Sequence, residues 1–91
     1  MYNILYTPKS ENNLKEIFSY ISDDNKFYAA KVIYSIKNTI DILKIFPFSG
    51  KNIDGQHNMI VESKYKHKII YYIKGNNIYI LSIFKYQNTW E

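Results

Sequence analysis

"YKHKIIYYIKGNNIYILSIF", residues 65–84, decides the fold, because two β-rich runs flank a turn signal in it. The first run alternates with the period of two of an extended chain. One side carries Tyr65, His67, Ile69, Tyr71 and Ile73, and the other carries Lys66, Lys68, Ile70 and Tyr72. We therefore predict a strand over residues 65–74 with one buried side. The turn "KGNN" joins it to an antiparallel strand over residues 78–86, which is apolar on both sides and so typical of a central strand.

Two helices precede these strands. Thr7 is a suitable N-cap, and the apolar stripe that follows it predicts a helix over residues 8–21. The sequence "SDDN" then forms a turn and offers Asp23 or Asp24 as the next N-cap. A second apolar stripe predicts a long helix that ends before Pro47, because the residue ahead of a proline avoids the helical region. So short a connection makes the two helices an antiparallel hairpin.

The remaining segments complete an α+β fold. Residues 2–6 are predicted to form an N-terminal strand, residues 46–56 a loop, and residues 57–63 another strand. The predicted order is a strand, a two-helix antiparallel hairpin and a three-stranded antiparallel meander, with the helices packed on one face of the sheet. We expect residues 1–91 to be a single domain.

The composition restricts the chemistry. The 91 residues include 12 basic residues, all of them lysine, against eight acids, which gives a net charge of +4. Without arginine, any anion must be held by point charges. The sequence has no cysteine and two histidines, so we expect no disulfide, no metal site and no cofactor. It also lacks a long apolar run and a signal-peptide pattern, so we expect a cytoplasmic protein.

The predicted open face of the sheet is the candidate site. Lysines along the strand can contact phosphate, but a solvated strand face accounts for them equally well. Metal-free RNA cleavage needs a base, an acid and positive charge, which histidine and lysine can supply if they converge there. His67 lies on the same side as Ile69 and Tyr71, which favours a packed, hydrogen-bonded histidine. Most aromatic residues fit a small core better than base stacking, with Tyr86 and Trp90 as the best exceptions.

Three motifs, taken in order, resemble the RelE/ParE superfamily of toxins from type II toxin-antitoxin modules, which are also called plasmid stabilisation proteins. They are a "Leu-x-x-Ile-x-x-Tyr-Ile" helix (Leu14, Ile17, Tyr20, Ile21), a "Leu-x-x-Phe-Pro-x-x-Gly" junction (Leu43, Phe46, Pro47, Gly50) and an "Ile-x-Tyr" strand (Ile69, Tyr71). The resemblance covers nearly the whole chain. The long hairpin and the Phe-Pro junction look more like the ParE branch, whose members act on DNA gyrase. The RelE branch cleaves mRNA in the ribosome.

The resemblance implies growth inhibition that a cognate acidic antitoxin neutralises, with a hetero-oligomer of the two as a possible product. We expect a ParE-like toxin that binds gyrase. The alternatives are a RelE-like, ribosome-dependent mRNA endonuclease and an inactive relative that only binds antitoxin. If the chain is a ribonuclease, its catalytic residues are expected to be His57, Lys68 and Lys85. The expected residues for target or nucleic-acid binding are Lys64, Lys66, Lys68, Tyr72, Tyr86 and Trp90.

The sequence departs from the superfamily at the positions that matter most for activity. Where many relatives have arginine, this chain has His57 after the loop glycine and Lys68 before the "Ile-x-Tyr" strand. The His and Arg that are frequent near the end of the last strand correspond to Lys85 and Asn88. Positive charge is therefore kept at two of these four positions, which leaves both alternatives open.

Overall fold

The computed structural model describes residues 1–86 and contains two helices and five strands. In chain order these are β1 (Asn3–Tyr6), α1 (Pro8–Ser22), α2 (Lys26–Ile42), β2 (Lys51–Asn52), β3 (Asn58–Val61), β4 (Lys68–Lys74) and β5 (Asn77–Phe84). No helix in this part of the chain has the length and apolar character that crossing a membrane requires.

The five strands form one mixed sheet in the order β1-β5-β4-β3-β2. β1 pairs with β5 in parallel, and every other neighbouring pair is antiparallel. The predicted α+β fold is therefore confirmed, with β5 in the interior of the sheet. The sequence missed β2, because two residues are too short to leave a periodic pattern. Lys51 and Asn52, which were predicted to lie in a loop, pair with Met59 and Asn58 of β3.

The helix ends follow local hydrogen bonding. Thr7 caps α1 as predicted, since its hydroxyl accepts from the Ser10 N–H at 3.2 Å. The cap of α2 is Asn25, not Asp23 or Asp24, and its side-chain oxygen accepts from the Tyr28 N–H at 3.0 Å. α2 ends at Ile42, before the predicted limit.

The residues after α2 explain its early end. The backbone N–H groups of Leu43, Lys44 and Ile45 bond three residues back, which tightens the chain into turns. The carbonyl of Lys44 then accepts from the Tyr2 N–H at 3.0 Å, at the start of the sheet. The end of the hairpin is thus tied to the N-terminal segment.

The core lies between the helices and one face of the sheet. Its fully buried members from α2 are Val32, Ile36 and Ile40, and those from the sheet are Ile69, Tyr71, Ile78, Ile80 and Ile83. A register shift pairs Ile70 with Ser82 but Tyr71 with Ile80, so Leu81 has no partner on β4. This bulge allows Ile80 and Ile83 to face the same core although they are three residues apart. It also explains why "IYILSIF" looks apolar on both sides.

Two of the sequence motifs meet at the hydroxyl of Tyr71, a side chain with no exposed surface. The hydroxyl donates to the Pro47 carbonyl at 2.9 Å and accepts from the Gly50 N–H at 3.1 Å. A Cβ at Gly50 would lie 2.5 Å from that oxygen and 2.8 Å from the Met59 carbonyl. Position 50 therefore requires glycine, because a side chain would displace the hydrogen bond that fixes the loop. Burial raises the pKa of Tyr71, although the Gly50 hydrogen bond opposes this, so the phenol stays protonated.

We predict that Tyr71→Phe lowers the free energy of unfolding by about 1–3 kcal/mol, because it leaves the buried Pro47 carbonyl and the partly buried Gly50 N–H without their partner. Urea denaturation measures this loss. Tyr79→Phe is the matched control, since no hydrogen bond is made by the Tyr79 hydroxyl within residues 1–86. Equal losses for the two variants would contradict the account of the loop.

Candidate functional site

The candidate site is the sheet face opposite the helices, which we call the open face. Ile69 and Tyr71 belong to the core, so the alternation of β4 directs Lys68, Ile70 and Tyr72 to the open face. Ile70 is only 1% exposed, so this face is not open along its whole length, contrary to the prediction. Tyr72 stacks on Tyr79 of β5, with ring centroids 4.9 Å apart and planes 14° from parallel. The open face therefore combines flat aromatic surface with positive charge.

The lysine of this face lies over an aromatic ring. The Nζ atom of Lys68 is 5.9 Å from the ring centre of Phe84, its cross-strand partner. Such a contact holds the ammonium group close to the sheet, where attraction to the ring restricts it. The predicted direction of Lys68 and Tyr72 agrees with the structure.

His57 lies at the other end of the open face, just before β3. Its Nδ1 atom is 2.8 Å from an Asp54 oxygen, and its backbone N–H donates to the same oxygen at 2.9 Å. The His57 ring also meets Tyr72 edge-on, with 6.4 Å between centroids. The backbone hydrogen bond from His57 has the largest effect and lowers the pKa of Asp54; burial opposes it, and the His57 side chain lowers the pKa further. Asp54 thus fixes the orientation of the imidazole against Tyr72.

The structure does not gather His57, Lys68 and Lys85 at one point. Lys68 precedes Tyr72 by four strand residues, which is roughly 13 Å at ~3.3 Å per residue. Lys85 follows Phe84 and lines a cavity with His67, at the edge of the helix side of the sheet. The assumption that these groups converge on the open face is therefore not met, and their catalytic roles stay a prediction.

Lys66 lies outside the strand that was predicted for it, and Lys64 lies in the turn before it, between the two predicted strands. β4 begins at Lys68, and residues 63–65 form a turn. Lys66 adopts a φ of 68°, the left-handed region that non-glycine residues rarely occupy. Both lysines are exposed, but they project from the turn and not from a flat strand face.

A buried carboxylate causes this change. Glu62 has no exposed surface, and its oxygens accept from the backbone N–H groups of Lys64 at 2.8 Å and Tyr65 at 2.9 Å. They also accept from the Ser35 hydroxyl at 2.8 Å and, more weakly, from the His67 N–H at 3.4 Å. The extended chain is broken here because its N–H groups bond to this side chain instead of a neighbouring strand.

The hydrogen bonds decide the charge state of Glu62. Burial alone would raise its pKa, but the bonds from Tyr65, Ser35, His67 and Lys64 together hold the pKa below its usual value. Glu62 is therefore an anion that joins the β3–β4 turn to α2. No local pattern indicated this role, since a single glutamate after a β-rich run is normally a surface residue.

His67 is packed, as the sequence indicated, but within residues 1–86 its Nδ1 atom does not make the hydrogen bond that was also predicted; its backbone bonds to Glu62. Its Nδ1 atom lies 3.6 Å from a Glu62 oxygen, too far for a hydrogen bond, and has no other partner within residues 1–86. Burial lowers the pKa of His67, Glu62 opposes this, and Lys85 lowers it further. The imidazole is thus neutral near pH 7.

The last two binding candidates fall at the end of β5. Tyr86 is 85% exposed beside the cavity that His67 and Lys85 line, and the Lys85 Nζ atom lies 5.3 Å from its ring centre. Trp90 and Asn88 lie outside the described residues. Within residues 1–86 no group of three or more acidic or histidine side chains is arranged to hold a metal ion.

Comparison with known proteins gives one family and one fold. The family model described as "ParE toxin of type II toxin-antitoxin system, parDE" matches residues 4–90. A solved structure described as the chromosomal ParDE TA system from P. aeruginosa superposes with a TM-score of 0.82 at 19% identity, covering 96% of this chain and 98% of that chain. No curated protein matches significantly.

We predict that Glu62→Gln lowers the free energy of unfolding by about 2 kcal/mol at neutral pH, because an amide replaces the charged acceptor of several buried hydrogen bonds. The lowered pKa of Glu62 makes this loss depend on pH. The carboxylate contributes fully above the unfolded value of 4.5, and its contribution disappears as the pH falls through the folded pKa.

Denaturation of the wild type and of Glu62→Gln between neutral pH and pH 3 measures how the loss of stability depends on pH. Glu16→Gln, at an exposed position on α1, is the matched control and is expected to change stability by less than about 0.5 kcal/mol. A difference between wild type and Glu62→Gln that stays constant down to acid pH would contradict the role of the charge.

Proposed function

The chain belongs to the ParE toxin family of type II toxin-antitoxin systems, and from this membership we propose that it inhibits bacterial growth by binding DNA gyrase. The observation that carries the proposal is the family match over residues 4–90. The proposed activity is binding and inhibition in the cytoplasm, without a cofactor.

The exposed aromatic residues of the helical hairpin support a protein target. Tyr20, Phe27 and Tyr34 project from α1 and α2 with most of their surface uncovered. Aromatic side chains are enriched in protein–protein interfaces, because they bury a large area at a small cost in conformational entropy. A large enzyme such as gyrase offers the surface that would cover them.

We further propose a cognate antitoxin that is acidic and partly disordered when free. The net charge of +4 favours an acidic partner. The structurally similar protein from P. aeruginosa is described as part of a ParDE toxin-antitoxin system, which supports a partner of the same kind here. A toxin-antitoxin hetero-oligomer follows if the antitoxin is itself oligomeric.

The separation of His57, Lys68 and Lys85 argues against the alternative of mRNA cleavage. General acid–base catalysis needs the groups within hydrogen-bond reach of one substrate, directly or through one water. His57 and Lys68 lie at opposite ends of the open face, and Lys85 lies at the edge of the helix side. An arrangement of this kind supports binding better than catalysis.

We predict that the purified protein increases the amount of cleaved gyrase–DNA complex in a plasmid cleavage assay, because it would trap the enzyme on DNA. An unrelated basic protein of similar size and charge controls for non-specific effects on DNA. Unchanged gyrase behaviour at saturating protein would reject the proposal.

A translation extract tests the alternative in parallel. Codon-phased mRNA cuts that disappear in Lys68→Ala or Lys85→Ala would identify the protein as a ribosome-dependent endonuclease instead. We expect no such cuts.

A further inference from the structure

A cationic cleft lies between α2 and the β3–β4 turn, away from the open face. It encloses about 600 Å³ and is lined by Lys31, Tyr34, Ser35 and Asn38 of α2 and by Lys64 and Tyr65 of the turn. We propose that this cleft binds a backbone phosphate of duplex DNA. The proposal rests on the proposed function only in that gyrase would present the DNA.

The charged side chains that line the cleft, Lys31 and Lys64, are both positive. Residues 25–40 contain Lys26, Lys31 and Lys37 without an acid, and residues 63–86 contain Lys64, Lys66, Lys68, Lys74 and Lys85 without an acid. Within residues 1–86 neither Lys31 nor Lys64 forms a salt bridge. Two ammonium groups therefore border one cleft, and neither is neutralised by a salt bridge within residues 1–86, which attracts a polyanion.

Glu62 places a negative charge beside the cleft, and its surroundings limit the effect of that charge. Its side chain is fully buried, and its oxygens accept from the Ser35 hydroxyl and from the N–H groups of Lys64 and Tyr65. These bonds point donor dipoles at the carboxylate. Glu62 thus acts as an anchor under the turn, while the lysine side chains face solvent.

The turn that carries Lys64 is held rigidly. Lys66 keeps its left-handed φ because its N–H donates to the Glu62 carbonyl at 2.9 Å, while the Glu62 N–H donates to the His67 carbonyl at 2.8 Å. Backbone conformations that cost about 1–3 kcal/mol persist only where surrounding contacts enforce them, and they concentrate at functional sites. The strain here fixes the backbone that presents Lys64.

The lining suits a phosphate contact that does not read base sequence. Lysine offers point charges suited to contacts that depend on phosphate and not on base sequence. The half-buried Tyr65 is held edge-on against Tyr28, with centroids 5.5 Å apart, and the Lys64 Nζ atom lies 5.5 Å from the Tyr65 ring centre. The Asn38 amide and the Tyr34 hydroxyl are further donors of the kind that contact phosphate oxygens.

The test is fluorescence anisotropy of a short labelled DNA duplex with the full chain, without gyrase, across a range of salt concentrations. We expect binding that weakens with salt. Lys31→Ala and Lys64→Ala should each weaken binding about fivefold to tenfold near 0.1 M salt and reduce the salt slope by about 0.9, the value for one lost phosphate contact. Both positions are exposed, and circular dichroism checks that the variants are folded.

Lys74→Ala is the matched control, because it removes the same charge at the opposite end of β4. Equal weakening by all three substitutions would overturn the proposal, since it would indicate only net charge. Absence of binding at low salt would overturn it as well. Polyglutamate that competes at equal charge concentration, with the same dependence on Lys31 and Lys64, would identify a carboxylate site instead.

The gyrase cleavage assay tests the proposed function, and the anisotropy measurement without gyrase tests the cleft, so the two results are independent. Duplex binding that depends on Lys31 and Lys64 would support the cleft even if gyrase were unaffected.

Discussion

The hydrogen bonds of the Tyr71 hydroxyl fix the segment that leads from the helical hairpin into β2. Tyr71 lies in the core with no exposed surface, yet its hydroxyl reaches through to Pro47 and Gly50 and fastens the chain that leaves the helical hairpin. The space beside it admits no side chain at position 50. From this point the chain continues into β2 and to His57, whose ring rests edge-on against Tyr72. The position of His57 at the end of the open face therefore depends on the hydroxyl of Tyr71.

Glu62 has the corresponding role at the other end of the sheet. A buried carboxylate is costly unless its charge is fully hydrogen-bonded. Here Ser35 and the backbone of the turn supply the donors, which fixes α2 to the β3–β4 connection. The fold thus has an apolar core between its layers and a polar anchor near each end. Tyr71 and Glu62 each bind the backbone of a loop or turn. Loops and strand ends carry most of the candidate binding residues.

Much of the fold could be predicted, because periodicity and turn chemistry are local properties. The alternation in residues 65–73 and the "KGNN" turn predicted the β4–β5 hairpin, and Thr7 predicted the start of α1. The prediction failed where a distant partner decides the conformation. The strand began at Lys68 and not at residue 65, because Glu62 binds the intervening N–H groups. No local pattern reveals that bond.

The candidate site was less predictable for the same reason. Lys68 and Tyr72 face the open side of the sheet, since alternation fixes side-chain direction once a strand exists. The distance between His57 and Lys85 depends on how β3 and β5 are arranged in the sheet. The spacing of residues along the chain does not predict that arrangement. The cleft between Lys31 and Lys64 joins residues far apart in sequence, so only the folded chain reveals it.

Induced expression in growing bacteria tests the central claim most directly, with the DNA-damage response and protein synthesis followed in the same cells. The account predicts early DNA damage while protein synthesis continues. Arrest of protein synthesis without DNA damage, or growth that continues unchanged, would contradict it.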